Sequence, residues 1–273
     1  MKYAIRTIAI AAAFFAMGLD WFSTGPQSDL DSYWQGEQSD STAVVNHQQW
    51  QQLLDDYLVE DHSGINLFDY EGVQESDDVL QGYIESLANI DPRTLNRAEQ
   101  MSYWINMYNA LTVQVVSRNY PIESIKEVGG SLFASGPWDD EVVSVTGRAL
   151  SLNDIEHRIL RPIFNDYRIH FAVNCASIGC PNLASSAYTS ENLEVLLTEG
   201  AETYLKHDRG VALLEDELRL SSLFKWYGTD FGDSQEEMLE TLAKYLDEDL
   251  RDQVINFDGD IEFEYDWQLN DLG

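Results

Sequence analysis

Both cysteines of the chain, Cys175 and Cys180, stand five residues apart in the stretch from His170 to Pro181. A deprotonated thiol is a strong nucleophile, so a cysteine that shares a site with a histidine suggests covalent acyl chemistry. Cys175 is the candidate nucleophile. Other readings of the pair stay open. In an oxidising compartment Cys175 and Cys180 can form a local disulfide, contributing about 2 kcal/mol for so small a loop. Metal binding is a poorer match, because C-x4-C without a local H-x3-H is not a zinc pattern, and no metal or cofactor is assigned. A dithiol redox centre ranks last, the spacing not being C-x-x-C. With Pro181 as a first helical residue, Cys180 would be an N-cap, where the helix dipole lowers a thiol's pKa.

Two further segments place polar groups among apolar ones. Leu152, Ile155, Ile159 and Leu160 define the buried side of a helix on which Glu156 sits at the edge, so its carboxylate needs a partner such as an arginine. His157 and Arg161, four apart, share the adjacent flank. His157 is the candidate base and Glu156 the group that sets its protonation; the bland alternative is a structural ion-pair network. Asn106 and Asn109 lie three apart on a long helix. They either bond to backbone at a helix crossing or, with Arg161, His170 and Asn174, hold a substrate. His47, His62 and His207 sit in polar surroundings and read as solvated.

The elements that must position these residues follow from periodicity. Trp50, Leu53, Leu54, Tyr57 and Leu58 predict a helix over 46–60, and Ile65 to Tyr70 an extended piece. A helix over 77–89 is expected to bury Val79, Leu80, Tyr83, Ile84 and Leu87. Asn96 and Glu99 make an N-cap and N3 pair for a helix that runs to about Ser117, before Pro121. Thr146-Gly147 turns a hairpin from Val142 to Leu150, and Ser151 with Asp154 caps the helix over 152–160. Arg168 to Asn174 alternates and predicts a strand, with Ile169, Phe171 and Val173 on one face and His170, Ala172 and Asn174 on the other. Helices over 190–206 and 235–250, a hairpin at Glu215-Asp216 and a last strand with Ile261, Phe263, Tyr265 and Trp267 complete the chain. The fold class is α+β: a single domain of several helices packed on a mixed or antiparallel sheet with hairpins.

At the N-terminus, Lys2 and Arg6 precede an apolar run from Ile8 to Leu19, which reads as a signal peptide over 1–18; an uncleaved anchor is the alternative. Residues 19–45 read as a flexible polar linker and 46–273 as the globular domain. The expected location is periplasmic or secreted. With 16 basic against 48 acidic residues and a net charge of −32, the chain repels phosphate backbones and anionic headgroups. Neither nucleic acid nor a membrane surface is therefore an expected partner beyond that possible anchor. Asp258-Gly259-Asp260 with Glu262 lacks the spacing of a calcium loop and reads as a turn.

Five ordered blocks carry a family resemblance: YWINMYNAL, NYPIESIKEV, PWDDEVVSVTGRALSLNDIEHRILR, RIHFAVNCASIGCPNLASSAYTSENLEVLL and LSSLFKWYGTDFG. Together, over about residues 65–232, they resemble the domain of unknown function 547 family of bacterial proteins, which has plant relatives. The resemblance implies no substrate or cofactor. It implies that Trp104, Asn106, Tyr108, Asn109, Glu156, His157, Arg161, Arg168, His170, Cys175, Cys180 and Pro181 occupy signature positions. Residues after about 232 read as a local addition that completes the sheet. The leading expectation is an exported thiol-dependent hydrolase or acyl-transfer enzyme acting on an unknown small molecule. The alternative is a non-catalytic envelope binding or assembly domain, partnered by an envelope protein, with a structural Cys175–Cys180 disulfide.

Overall fold

The computed structural model describes residues 25–129, 136–214 and 217–273. The signal-peptide segment and the Glu215-Asp216 turn lie outside them.

The long helix α3 (Arg97–Asn119) is the centre of the larger core, and Tyr103, Trp104, Ile105, Met107, Tyr108 and Leu111 are buried around its whole circumference. The buried residues include polar ones such as Gln100, Ser102, Asn106, Asn109 and Thr112, so this central helix must find internal partners for them. Its start is fixed as the cap spacing predicts, Asn96 Oδ1 accepting from the Glu99 N–H at 3.0 Å. Helix α2 (Asp77–Ala88) packs beside it, burying Leu80, Tyr83, Ile84 and Leu87, and α1 (Gln48–Tyr57) packs on α2. Val79 of α2, expected inside, faces solvent. A small antiparallel pair, β1 (Leu58–Glu60) and β2 (Asn66–Phe68), links α1 to α2.

The expected hairpin is present as β3 (Val143–Val145) and β4 (Arg148–Leu150), with Thr146 and Gly147 both at positive φ in its turn. The helix that follows is capped as expected, since Asp154 Oδ2 accepts from the Ser151 N–H and Ser151 Oγ from the Asp154 N–H. Its body is a π-helix over Asp154–Leu160 that tightens into α4 (Arg161–Phe164).

The segment 168–174 is a departure from expectation. It is a 3-10 helix over Tyr167–Phe171, not a strand. Ile169 joins the larger core, while Phe171 joins a second, smaller one built by the C-terminal third of the chain. Its alternating apolar residues thus reflect two cores on opposite sides of one turn. The second core is formed by α5 (Leu193–Leu205), a three-stranded sheet and the helices α6 (Ser222–Trp226), α7 (Gly228–Phe231), α8 (Gln235–Ala243) and α9 (Glu248–Ile255). The single helix expected over 235–250 is therefore two. In the sheet, β5 (Val211–Leu214) pairs antiparallel with β6 (Glu217–Ser221), and β7 (Ile261–Glu264) joins β6 in parallel. With helices predominating over small antiparallel and mixed sheets, the class is α+β. Among the described residues no helix is long and apolar enough to cross a membrane.

The stretch read as a linker is built into the fold where it is described. Trp34 is fully buried against Trp104, Val45 donates to Glu99 Oε1 at 2.6 Å, and Asp29 and Asp31 donate backbone N–H groups to the carbonyls of His157 and Arg158. One tryptophan in a core outweighs the polar composition around it.

Candidate functional site

Where the two cores meet, a cavity of about 530 Å³ opens, large enough for a small organic molecule. Glu156, His157, His170, Cys175 and Cys180 line it, together with Tyr108, Trp138, Trp226, Tyr227, Tyr265 and Trp267.

The π-helix explains how Glu156 and His157, consecutive in sequence, face one cavity. A π turn holds more residues than an α turn, so neighbouring side chains are splayed by a smaller angle. The Arg161 N–H bonds to the Glu156 carbonyl, five residues back. Both side chains are buried, and Glu156 Oε1 lies 3.8 Å from His157 Nδ1 and 3.8 Å from His170 Nδ1, beyond hydrogen-bond reach.

Arg161, not Glu156, orients His157. The Arg161 Nη1–H donates to His157 Nδ1 at 3.1 Å. A guanidinium can only donate, so Nδ1 is unprotonated and the ring proton resides on Nε2. Burial pushes the His157 pKa down, the Glu156 carboxylate opposing, which keeps the ring neutral. In this tautomer His157 offers the cavity an N–H donor instead of a base. The arginine partner expected for Glu156 is engaged elsewhere. Arg161 makes a bidentate pair with Asp230 on α7 (Nε to Oδ2 2.6 Å, Nη2 to Oδ1 2.9 Å) and donates to the Pro26 carbonyl at 2.7 Å. Asp230 Oδ2 also accepts from His170 Nε2 at 2.7 Å. Burial raises the Asp230 carboxyl, but the bonds from His170 and Arg161 overcome it and hold the group well below the usual carboxylate range. The His170 ring lies flat on Tyr227, with centroids 4.6 Å apart.

The thiols sit on a strained turn. Ala176, directly after Cys175, has φ +59°, a left-handed conformation that costs a residue with a Cβ about 1 kcal/mol. Asn174 secures the turn from within, accepting from the Ala176 N–H (2.8 Å) and donating to the Pro181 carbonyl (2.7 Å). Asn109 braces it from α3, accepting from the Asn174 N–H and donating to the Ala172 carbonyl, each at 2.9 Å. Asn106 makes a like bracket with Tyr188, to its carbonyl at 2.7 Å and from its N–H at 3.0 Å. These three asparagines spend their amides on backbone and do not line the cavity.

Both cysteines are free, with sulfurs 3.0 Å apart, so the structure contains no Cys175–Cys180 disulfide. Cys175 is half-buried and Cys180 buried. Cys175 Sγ also lies 3.0 Å from Tyr265 Oη and 3.3 Å from Ser177 Oγ. The hydrogen bond shared with Cys180 pulls the Cys175 thiol below its ordinary value; burial opposes, and the Ser177 and Tyr265 hydroxyls add to the lowering. Burial and the neighbouring Cys175 sulfur push Cys180 well up. No helix begins at Pro181, the next being α5 at Leu193, so Cys180 is not the N-cap expected and no helix dipole lowers its thiol. Histidine and thiol share the cavity, but no hydrogen bond joins them among the described residues. Nor, among those residues, is any group of three or more His, Cys, Asp or Glu arranged to hold a metal ion.

Tyr265, Trp267 and Asp230 join the site without being marked as site residues by any motif in the sequence. The C-terminal segment runs beside the thiol turn, the Ile178 and Gly179 N–H groups donating to the Gln268 and Asp266 carbonyls at 2.8 Å, and so lays Tyr265 on Cys175. The alternation of Phe263, Tyr265 and Trp267 was the only signal. His47, expected in solvent, is buried on α3, its Nδ1 2.7 Å from Tyr83 Oη and 3.3 Å from Asn106 Nδ2.

No curated protein and no solved structure matches the chain. Residues 92–205 match a family model, a shorter span than the motif blocks suggest; it includes Glu156, His157, His170 and both cysteines, while Trp226, Tyr227, Asp230, Tyr265 and Trp267 lie beyond it. Over those residues the chain resembles the family described as "Protein of unknown function, DUF547".

Proposed function

We propose that this protein is an exported thiol-dependent hydrolase or acyl-transfer enzyme, acting in the periplasm or outside the cell on a small acyl compound. One observation carries the reading: a half-buried thiol, made acidic by three hydrogen-bonding neighbours, lies on the wall of a small-molecule cavity beside a neutral histidine with an N–H to donate. In this scheme the Cys175 thiolate attacks the acyl carbon, forming a C–S bond as the carbonyl electron pair moves to oxygen. His157 Nε2–H stabilises that oxyanion. The proton released by Cys175 passes to Glu156, which gives it to the leaving group as the C–X bond breaks. Water or another acceptor then attacks the thioester, yields its proton by the same route and regenerates the thiol. Asn106, Asn109 and Asn174 act as braces, and Arg161 as a positioning residue for His157.

The test is a panel of esters, amides and thioesters with intact-mass detection of an acyl adduct. We expect turnover and a Cys175 adduct in the parent protein, both lost in Cys175→Ala and the first retained in Cys180→Ser. Turnover that survives Cys175→Ala overturns the reading.

A second reading, a non-catalytic envelope domain that binds a small molecule or an envelope protein, is favoured by the lack of any histidine–thiol hydrogen bond among the described residues. It predicts ligand binding without an adduct.

A further inference from the structure

One wall of the cavity is aromatic. Trp226, Tyr265 and Trp267 form a triangle with ring centroids 4.7 to 5.6 Å apart, and Trp138 extends it, 5.7 Å from Trp267. All four rings are only partly buried and line the cavity, Trp138 and Trp267 also packing against the larger core. Three carboxylates, Asp139, Asp140 and Glu156, line the same cavity against one ammonium, that of Lys126.

The position of Lys126 is informative. Its side chain is exposed, and in so acidic a protein it has many carboxylates to choose from. Its Nζ instead lies over the Trp267 ring, 4.8 Å from the centroid. The negative face of an indole attracts a cation, more strongly where neighbouring walls exclude water. The wall therefore already accepts a primary ammonium, presented by the chain's own lysine on a flexible stem. Carboxylates nearby raise the local concentration of cations and repel anions.

We propose that the aromatic end of this cavity is a binding site for an alkylammonium group, seated over Trp267 where the Lys126 ammonium now lies. This deepens the reading of the cavity as a substrate pocket, on which it rests, by making the substrate or the acyl acceptor a cationic amine. Asp139 and Asp140 supply the long-range attraction, Trp138, Trp226 and Trp267 the contact surface, and Lys126 is an internal competitor that the ligand displaces.

The experiment is a calorimetric and tryptophan-fluorescence titration of the full protein, at fixed ionic strength, with n-butylammonium, n-butanol and butyrate as probes. Parallel titrations use Cys175→Ala. Because binding to the ring wall needs no thiol, the site is expected unchanged in that variant. A missing site leaves the thiol chemistry standing, and a failed thiol assay leaves the site standing. We expect butylammonium to bind at least about tenfold more tightly than butanol, with butyrate weakest. Lys126→Ala, a surface change that spares the fold, is expected to tighten butylammonium binding severalfold by removing the competitor. Trp267→Leu is expected to abolish the preference for the ammonium over the alcohol. Equal binding of butanol, preference for butyrate, no binding of the amine, or weaker binding in Lys126→Ala would each overturn the proposal.

Discussion

Two helical stretches bury polar side chains in this protein, and they do opposite things with them. On α3, Asn106 and Asn109 each bond a facing backbone through both ends of the amide, and Asn106 also lies 3.3 Å from His47 Nδ1. On the π-helix, Glu156 stands beyond hydrogen-bond reach of both histidines, and His157 accepts from Arg161 through Nδ1 while its ring faces the cavity. Burial is alike in the two cases, though amides stand on one helix and titratable groups on the other. The difference is saturation: a buried polar group whose bonds are all made to backbone is a structural tie, whereas one with spare capacity beside a cavity can act on a ligand.

The largest effect should come from the residue that joins the two kinds of group. Asp230 neutralises Arg161 and holds His170. Asp230→Ala strands a buried guanidinium, and we expect a loss of about 3–5 kcal/mol, roughly 10 °C in Tm. A shift of under about 3 °C in a thermal melt would mean the pair is not a strut of the site. Next comes the saturated bracket itself. Asn109→Leu keeps the volume but leaves the Ala172 carbonyl and the Asn174 N–H without partners, and should cost about 2–4 kcal/mol in urea unfolding. Glu156→Gln, by contrast, should change stability by less than about 1 kcal/mol, since no described hydrogen bond depends on its charge. If the two variants behave alike, saturation is not what separates the helices.

Acid gives a third comparison, between two of the buried histidines, His47 and His157. His47 is pushed down to about 4 by burial, against the pull of Glu99. The unfolded chain takes up this proton near pH 6.5 and the folded one only near 4, so the stabilising contribution is complete above 6.5 and is lost as pH falls toward 4. The loss approaches about 3 kcal/mol by pH 4. His157, also lowered, adds to it in the same direction. His47→Asn keeps an acceptor for Tyr83 and should flatten the pH 6.5-to-4 decline of Tm; an unaltered slope would assign the decline to other groups.

Local features were readable in the chain itself. The Asn96 cap, the Thr146-Gly147 turn and the Ser151–Asp154 cap are short-range patterns, and each is where it was expected. The thiol pair, Glu156, His157 and His170 do share one cavity. What could not be read depends on distant partners. Alternation of Ile169, Phe171 and Val173 has the same sequence pattern whether one sheet face or two separate cores bury them. Arg161 had a carboxylate five residues before it in sequence, yet its partner is Asp230, brought there by the packing of α7. Nothing local announced that Tyr265 would cross the molecule to touch Cys175, 90 residues away.

That contact also yields the smallest and most specific prediction. Tyr265→Phe removes one hydroxyl from the thiol and keeps the ring that packs on Trp226 and Trp267. Stability should change by under about 1 kcal/mol, because the lost bond is partly exposed to the cavity. The thiol should respond more clearly. With one of three hydrogen-bonding neighbours gone, the pH at which Cys175 becomes alkylable by iodoacetamide should rise toward the ordinary value of about 8.5. Ser177→Ala should move it the same way, and Cys180→Ser should raise or preserve it according to how well a hydroxyl replaces the buried S–H. A family-segment thiol would then owe its acidity to a residue that lies beyond that segment. If alkylation of Tyr265→Phe follows the same pH curve as the parent, the C-terminal strand only covers the site, and the polar neighbours within the turn set the reactivity of Cys175 without it.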